Sequence, residues 1–386
     1  MATTIIMEPD IQQKLAILSE EAAEDVTEVP ATQSIQQGIG HATGFVYNAT
    51  QEGGAKTRLF KVLQTNACRY ACKYCFTSCA IRRQRTTFKP DELATTFVSL
   101  NQQKRVDGLF LSSGIVPDAN TTMEKMLATV ERLRLREGYT GYIHLKLIPG
   151  ASFEYVERAV ELADRVSLNL EAPNQARLDD LAPDKEFASS MWGRLAWAAE
   201  LMRRARQEGR RAARSLTTQF VVGAVGESDR ELLDTVDRAH RELDLRRAYF
   251  SAFHPIARSP FSDMPAEDPI RAARLYQADF MLRDYGFSAA DLPFDAGGLL
   301  PRDRTPKQAW AEMHLHEPIE INRASRQQLL RIPGIGPKSA DRILAARRES
   351  RLSDISHLRA LGVTTGWAAP YVLLDGRRAA VQLGLW

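Results

Sequence analysis

The stretch "FKVLQTNACRYACKYCFTSCA", residues 60–80, joins an apolar run to a cluster of thiols. Its cysteines are Cys68, Cys72, Cys75 and Cys79, spaced C-x3-C-x2-C-x3-C, and they are all the cysteines in 386 residues. In a reducing compartment such a cluster reads as metal or redox chemistry rather than a disulfide framework. Thiolates favour soft metals, chiefly zinc and iron–sulfur clusters. Zinc ribbons present two ligand pairs separated by a long insert, a pattern that four thiols this close fit poorly. A 4Fe–4S cluster accepts ligands from a tight loop. Both readings are open on the spacing alone.

The run "FKVLQTN" (60–66) is the first of six of its kind. The others are "GLFLSS" (108–113), "YIHLKLI" (142–148), "VSLNLE" (166–171), "TTQFVVG" (217–223) and "RAYFSAF" (247–253). Amphipathic stretches at 91–104, 121–137, 152–164, 186–209, 228–243 and 267–285 alternate with them and predict helices. Six strand–helix units predict an α/β fold with a parallel sheet. The strands also carry a period of two. Tyr142, His144 and Lys146 share one face, opposite Ile143, Leu145 and Leu147. Ser167, Asn169 and Glu171 likewise oppose Val166, Leu168 and Leu170. A parallel sheet covered on both faces runs apolar throughout. One polar face therefore predicts a partial (β/α)6 TIM-like barrel with a polar lumen, the alternative being a sheet edge facing solvent. In such barrels the site lies at the C-terminal strand ends. Asn66, Ser112, Ser113, Glu171, Gly223 and His254 fall at or just after those ends.

Working outward, residues 9–27 have a helical pattern, and the flanks of "QEGGA" predict a hairpin leading into the first strand. These form an N-terminal extension, 1–54, before a barrel over 55–285. Residues 286–319, rich in Pro, Gly and Asp, read as a linker packed along the barrel. His314 and His316 lie in it without nearby partners and read as surface residues. Apolar residues are 44% and charged residues 26% of the chain, as in a globular protein with a real core. No apolar run approaches the roughly 20 residues that span a bilayer. The start has an acidic end and no basic region, so it does not read as a signal peptide, and a cytoplasmic location without membrane contact is expected.

The net charge of +3 is unevenly spread. From Glu320 to Trp386 there are 11 Lys or Arg against 5 Asp or Glu, a surplus of six, while the rest of the chain is slightly acidic. That surplus points to a polyanion partner for the tail, or to a merely soluble basic tail. Within it, "INRASRQQLLRIPGIGPKSADRILAARRES" (321–350) opens with Ser325 and Gln328 as a capping box. "IPGIGP" then turns the chain tightly, with Gly334 and Gly336 allowing close backbone approach and Pro337 suited to a first helical turn. The pattern resembles the helix-hairpin-helix motif, in which hairpin amides at a helix N-terminus meet a DNA phosphate. That resemblance implies Gly334, Gly336, Lys338, Ser339 and Arg342 as DNA-binding residues, with Arg347 and Arg348 further along. A degenerate second copy, with Ser353 as cap and "LGVTTG" as hairpin, completes a small all-α domain over 320–386.

C-x3-C-x2-C directly after the first strand of a six-unit barrel resembles the radical S-adenosylmethionine (radical SAM) superfamily. The resemblance implies that Cys68, Cys72 and Cys75 hold a 4Fe–4S cluster whose open iron binds S-adenosylmethionine. It implies reductive cleavage to a 5′-deoxyadenosyl radical, with an electron donor such as flavodoxin or ferredoxin. Cys79 is then a buried or spare thiol. Tyr74 stands where an aromatic packs near the adenine. Ser112, Ser113 and Gly114 replace the paired glycines and acid that receive the amino group, with no acid among them. Asn169 and Glu171 are implied at the ribose or methionine, Val222 and Gly223 (with Glu227 beyond) at the adenine, and His144 and Lys146 at the carboxylate or substrate. Joined to the helix-hairpin-helix tail, the chain resembles a bacterial radical SAM family described as acting in DNA modification or repair. The implied function is hydrogen abstraction from a nucleotide in DNA. The alternatives are an RNA-modifying radical enzyme, and a non-catalytic DNA-binding protein with a structural or sensing cluster.

Overall fold

The computed structural model describes residues 9–24, 46–50 and 56–378. The end of the expected N-terminal helix, the "QEGGA" turn and the last eight residues lie outside them. Two compact units divide the chain: Met1–Glu227 with Arg238–Ala272, and Ser228–Asp237 with Ala273–Trp386.

The first unit is built on one curled sheet of seven strands whose spatial order is their chain order. Strand β1 (Val46–Thr50) pairs antiparallel with β2 (Lys56–Leu63). Parallel pairing then continues through β3 (Gly108–Ser112), β4 (Tyr142–Lys146), β5 (Arg165–Ser167), β6 (Ser215–Val222) and β7 (Arg247–Ala252). The six parallel strands are the six expected runs. Before them stands α1 (Ile11–Glu20), opened by an Asp10–Gln13 capping box. Between them the chain crosses through α2 (Pro90–Gln102), α3 (Ala119–Glu131), α4 (Phe153–Leu162), α5 (Gln175–Leu181), α6 (Gly193–Gln207) and α7 (Asp229–Leu243), and α8 (Pro269–Asp284) follows. Short π-helical turns extend α3 and precede α6. Helix α5 escapes a periodicity reading because it is only seven residues long; Asn174 caps it by accepting from the Arg177 amide.

Both faces of the sheet are buried, which resolves the polar face. Ile143, Leu145, Leu147, Val166, Leu168 and Leu170 are wholly buried. The opposite face places Lys61, His144, Ser167, Asn169, Glu171, Thr217 and Gln219 in the interior too, none above 8% exposed. Hence the alternation marks a polar lumen, not an edge in solvent.

In the second unit, residues 286–319 carry α9 (Pro306–His314), opened by a Thr305–Gln308 capping box. It continues through β8 (Ile319–Glu320), α10 (Arg326–Arg331), α11 (Pro337–Glu349), α12 (Ile355–Ala360) and α13 (Thr365–Ala368) to β9 (Val372–Leu374) and β10 (Arg377–Arg378). Its core gathers Ile321, Leu329, Leu330, Ile332, Ile335, Ile343, Leu358 and Val372. A small β10–β9–β8 sheet accompanies the helices. His314 and His316 are exposed, and the His314 ring stacks on Trp310. No helix among the described residues is long and apolar enough to cross a membrane.

Candidate functional site

Beyond β2 the chain leaves the sheet as a loop and returns where Thr65 bridges Thr87. This loop carries every cysteine. Arg85 holds its shape from within: the guanidinium donates to the carbonyls of Asn66, Thr77, Ser78 and Ile81 at 2.5–2.9 Å. A guanidinium is suited to this because its fork supplies five donors in one plane. Asn66 closes the base of the loop, accepting from the Thr86 amide and donating to the Gln84 carbonyl. On the far side, Ala71 N–H donates to Asp184 at 2.6 Å and Lys73 N–H to the Leu181 carbonyl at 3.0 Å, which ties the loop to the end of α5. Gly114 is required by packing. A Cβ there would sit 2.3 Å from the Ala67 carbonyl, so only glycine lets the turn after β3 lie against the cysteine loop.

These contacts shape a cavity of about 130 Å³ at the C-terminal strand ends. Cys68, Cys72 and Cys75 all line it, together with Tyr74, Ser112, Ser113, Gly114, Lys146, Asn169 and Glu171. Cys72 is buried and Cys68 and Cys75 half-buried, whereas Cys79 is exposed and absent from the wall. Among the described residues no three His, Cys, Asp or Glu side chains close on a single ion. His144, Val222 and Gly223 are not part of the lining. His144 sits lower in the lumen, its Nε2 2.8 Å from Ser167 Oγ and its ring edge-on to Phe110, and burial holds it well below the ordinary histidine pKa. Gly223 adopts φ +92 under Glu267, and its N–H is taken by the Glu227 carboxylate.

The wall also includes residues that motif reading missed: Glu21, Tyr70, Phe76, Lys185 and Gln219. Lys185 donates to Glu171 at 3.0 Å, with both side chains below 10% exposed. Burial opposes the Lys185 ammonium, but Glu171, Cys72 and Cys75 outweigh it and hold its pKa above the ordinary range. Burial pushes the Cys72 thiol up to about 12 and raises Cys75, while Lys185 pulls both back toward thiolate. Burial, with the Glu171 charge beside it, keeps the Tyr74 phenol protonated.

Residues 62–239 match the radical SAM superfamily, and residues 315–361 match a helix-hairpin-helix motif. The chain carries a radical SAM domain. Superfamily members use a 4Fe–4S cluster and S-adenosylmethionine, the cofactors that the resemblance implied. No curated protein sequence matches the chain. Similar solved structures include the FeFe-hydrogenase maturase HydG from Carboxydothermus hydrogenoformans, at 15% identity over 57% of this chain and 50% of that one, TM-score 0.43. Another is methylornithine synthase, at 15% identity over 57% and 60%, TM-score 0.43. A radical SAM methyltransferase from Sphaerobacter thermophilus aligns at 15% identity over 63% and 72%, TM-score 0.44. The chain spans about half the length of the hydrogenase maturases.

Outside the radical SAM domain, the second unit presents the helix-hairpin-helix. Ser325 accepts from the Gln328 amide as the capping pattern predicted. Gly334, at φ +80, packs on the second hairpin, where a Cβ would meet the Thr364 carbonyl at 2.4 Å. Its own carbonyl accepts from Thr364 N–H at 3.0 Å. The first helix of the second copy, α12, is capped by Asp354, which accepts from Ser356 N–H, and not by Ser353; a carboxylate one residue on reaches the orphan amide. Lys338 and Arg342 are exposed. Ser339 is buried, exchanging hydrogen bonds with the Gly336 amide and carbonyl, so it caps α11. Arg347 is engaged by the carbonyls of Ile321 and Ala324.

Proposed function

We propose that this chain is a radical SAM enzyme that takes hydrogen from a nucleotide in DNA, in repair or modification. The observation that carries the reading is one chain holding both a three-thiol cavity at barrel strand ends and a basic helix-hairpin-helix. The donor set fits the cofactors: three soft ligands on one wall, beside hydroxyls, amides and charged groups suited to a zwitterion. In this reading Cys68, Cys72 and Cys75 hold the cluster. Tyr74, Ser112, Ser113, Gly114, Lys146, Asn169 and Glu171 surround S-adenosylmethionine. When bound, the pair supplies an organic radical able to take hydrogen from an unactivated carbon. This chain's residues do the rest. Lys185 favours thiolate at Cys72 and Cys75, and buried walls limit water. The exposed Lys338 and Arg342 supply sequence-independent phosphate contacts beside the Gly334–Gly336 hairpin. A base reacting in the lumen has to be flipped or unpaired first. A flavodoxin or ferredoxin is the electron donor in this reading.

The test is anaerobic turnover of the reconstituted full chain with duplex DNA carrying deuterated nucleotides. Deuterium in 5′-deoxyadenosine is expected. Label transfer only from structured RNA moves the assignment to the RNA-modifying alternative. A protein that binds DNA and a cluster yet never cleaves the cofactor is the sensor.

A further inference from the structure

The second hairpin carries an aromatic ring that the fold leaves bare. Trp367 lies in α13, directly after the 361–366 turn, and is 48% exposed. The other tryptophans among the described residues are covered. Trp192 pairs with Phe187 and Arg238, Trp197 with Phe153 and Arg194, and Trp310 with Phe287, His314 and Arg331. No ring or cation among the described residues lies on Trp367. Its backbone is nonetheless fixed. The N–H groups of Trp367 and Ala368 donate to the Thr364 carbonyl at 3.1 and 3.2 Å, and Thr364 N–H donates to the Gly334 carbonyl at 3.0 Å. The bare indole is thus carried by the same peptide that joins the two hairpins.

Trp367 lines a cavity of about 270 Å³ together with Gln277, Phe280, Tyr285, Lys307 and the Gly334–Gly336 turn. All of these belong to the second unit. Two polar groups on the wall are unused. Gln277 Oε1 accepts from Arg274 at 3.1 Å, but its Nε2 has no partner among the described residues. Tyr285 Oη, 3.3 Å from where a Gly336 Cβ would stand, makes no hydrogen bond among them either. Lys307 gives one N–H to the Ile335 carbonyl, and burial lowers its pKa to about 7, which weakens its charge near neutral pH. An aromatic slot with little charge and a few free donors suits a flat, uncharged ring better than a phosphate. Phosphates have the exposed Lys338 and Arg342 on the same hairpin unit. A nucleic acid gripped there brings both kinds of group, and any base can stack on an aromatic platform because every base has a π face. A paired base inside the duplex cannot reach the ring, whereas an unpaired one leaves the stack at little cost.

We propose that this cavity is a stacking site for the base of an unpaired nucleotide in DNA, with Trp367 as its platform. This rests on the reading of the C-terminal unit as DNA-binding. The unit then favours positions where a base is already out of the helix, the state a base must reach before it can react.

The experiment measures equilibrium binding of the reconstituted full chain to two duplexes with a one-nucleotide bulge. One bulge carries thymine and the other lacks its base, so bend and charge are matched and only the ring differs. Wild type is expected to prefer the thymine bulge by about tenfold, the range of one base–aromatic stack. Trp367→Ala is expected to bind the two bulges alike, while Trp367→Phe, which keeps a ring, retains most of the preference. Equal binding of the two bulges by wild type overturns the inference, as does a preference that survives in Trp367→Ala. A wild-type measurement guards against misfolding of the variant: 5-iodouracil in the bulge, irradiated in the complex, should crosslink to the peptide holding Trp367. Crosslinks confined to other peptides overturn the proposal. So does a concentration-dependent dimer that Trp367→Ala abolishes without changing bulge binding, since a second copy then covers the ring. If wild type binds neither bulge nor intact duplex, the DNA reading itself fails.

Discussion

At the scale of single residues the site rests on charges that need their neighbours. Glu171 sits at φ +64, buried, and is held by Lys185 from the stretch after α5. Removing one partner of a buried pair strands the other's charge, which typically costs about 3–5 kcal/mol. Lys185→Met should lower stability by that order in urea unfolding, and adding Glu171→Gln should recover most of it. Additive losses would show the two side chains to be uncoupled. Gly114 and Arg85 shape the loop more quietly, one by lacking a Cβ and the other by binding four carbonyls. Neither role is visible in a motif.

At the scale of elements the C-terminal unit holds a titratable strap. Lys307 on α9 donates to the Ile335 carbonyl at 2.5 Å, within the first hairpin, and lies over the Tyr285 ring. Burial, aided by Arg331, lowers its pKa from 10.5 to about 7. Between those values the unfolded chain holds a proton that the folded chain does not. Unfolding free energy therefore rises with pH across that window and levels off above it. Urea midpoints measured from about pH 7 to pH 10 should climb, and Lys307→Met should flatten the climb. A neutral amine still donates to Ile335, so the contact survives the loss of charge.

For the whole molecule, the proposal separates affinity from chemistry. Lys338 and Arg342 are exposed on the α11 side of the hairpin, while Ser339 and Arg347 are consumed internally. The Lys338→Ala, Arg342→Ala double variant should weaken binding of any duplex and reduce the slope of log affinity against log salt by about one per lost phosphate contact. Cofactor cleavage without DNA should be unchanged in the same protein. An unchanged salt slope would remove the hairpin from the DNA contact.

Much of this was legible in one dimension. The six parallel strands lie within a few residues of the apolar runs, because a strand's period and length are local properties. The thiol spacing and the Gly–Ile–Gly hairpin are local too. Periodicity assigned His144 and Lys146 to the lumen but could not set their height in it: Lys146 reaches the cavity and His144 ends beside Ser167. Val222 and Gly223 stand at a strand end as expected, yet Glu227 and Glu267 occupy the space around Gly223. Only folding could recruit Glu21 and Lys185, since each meets the cysteine loop across tens of residues. Local pattern settled the strands, the thiol loop and the hairpin, because their periods and turns are written in neighbouring residues. Which buried charges face one another was settled in three dimensions, because compensation of a charge depends on what lies across the cavity.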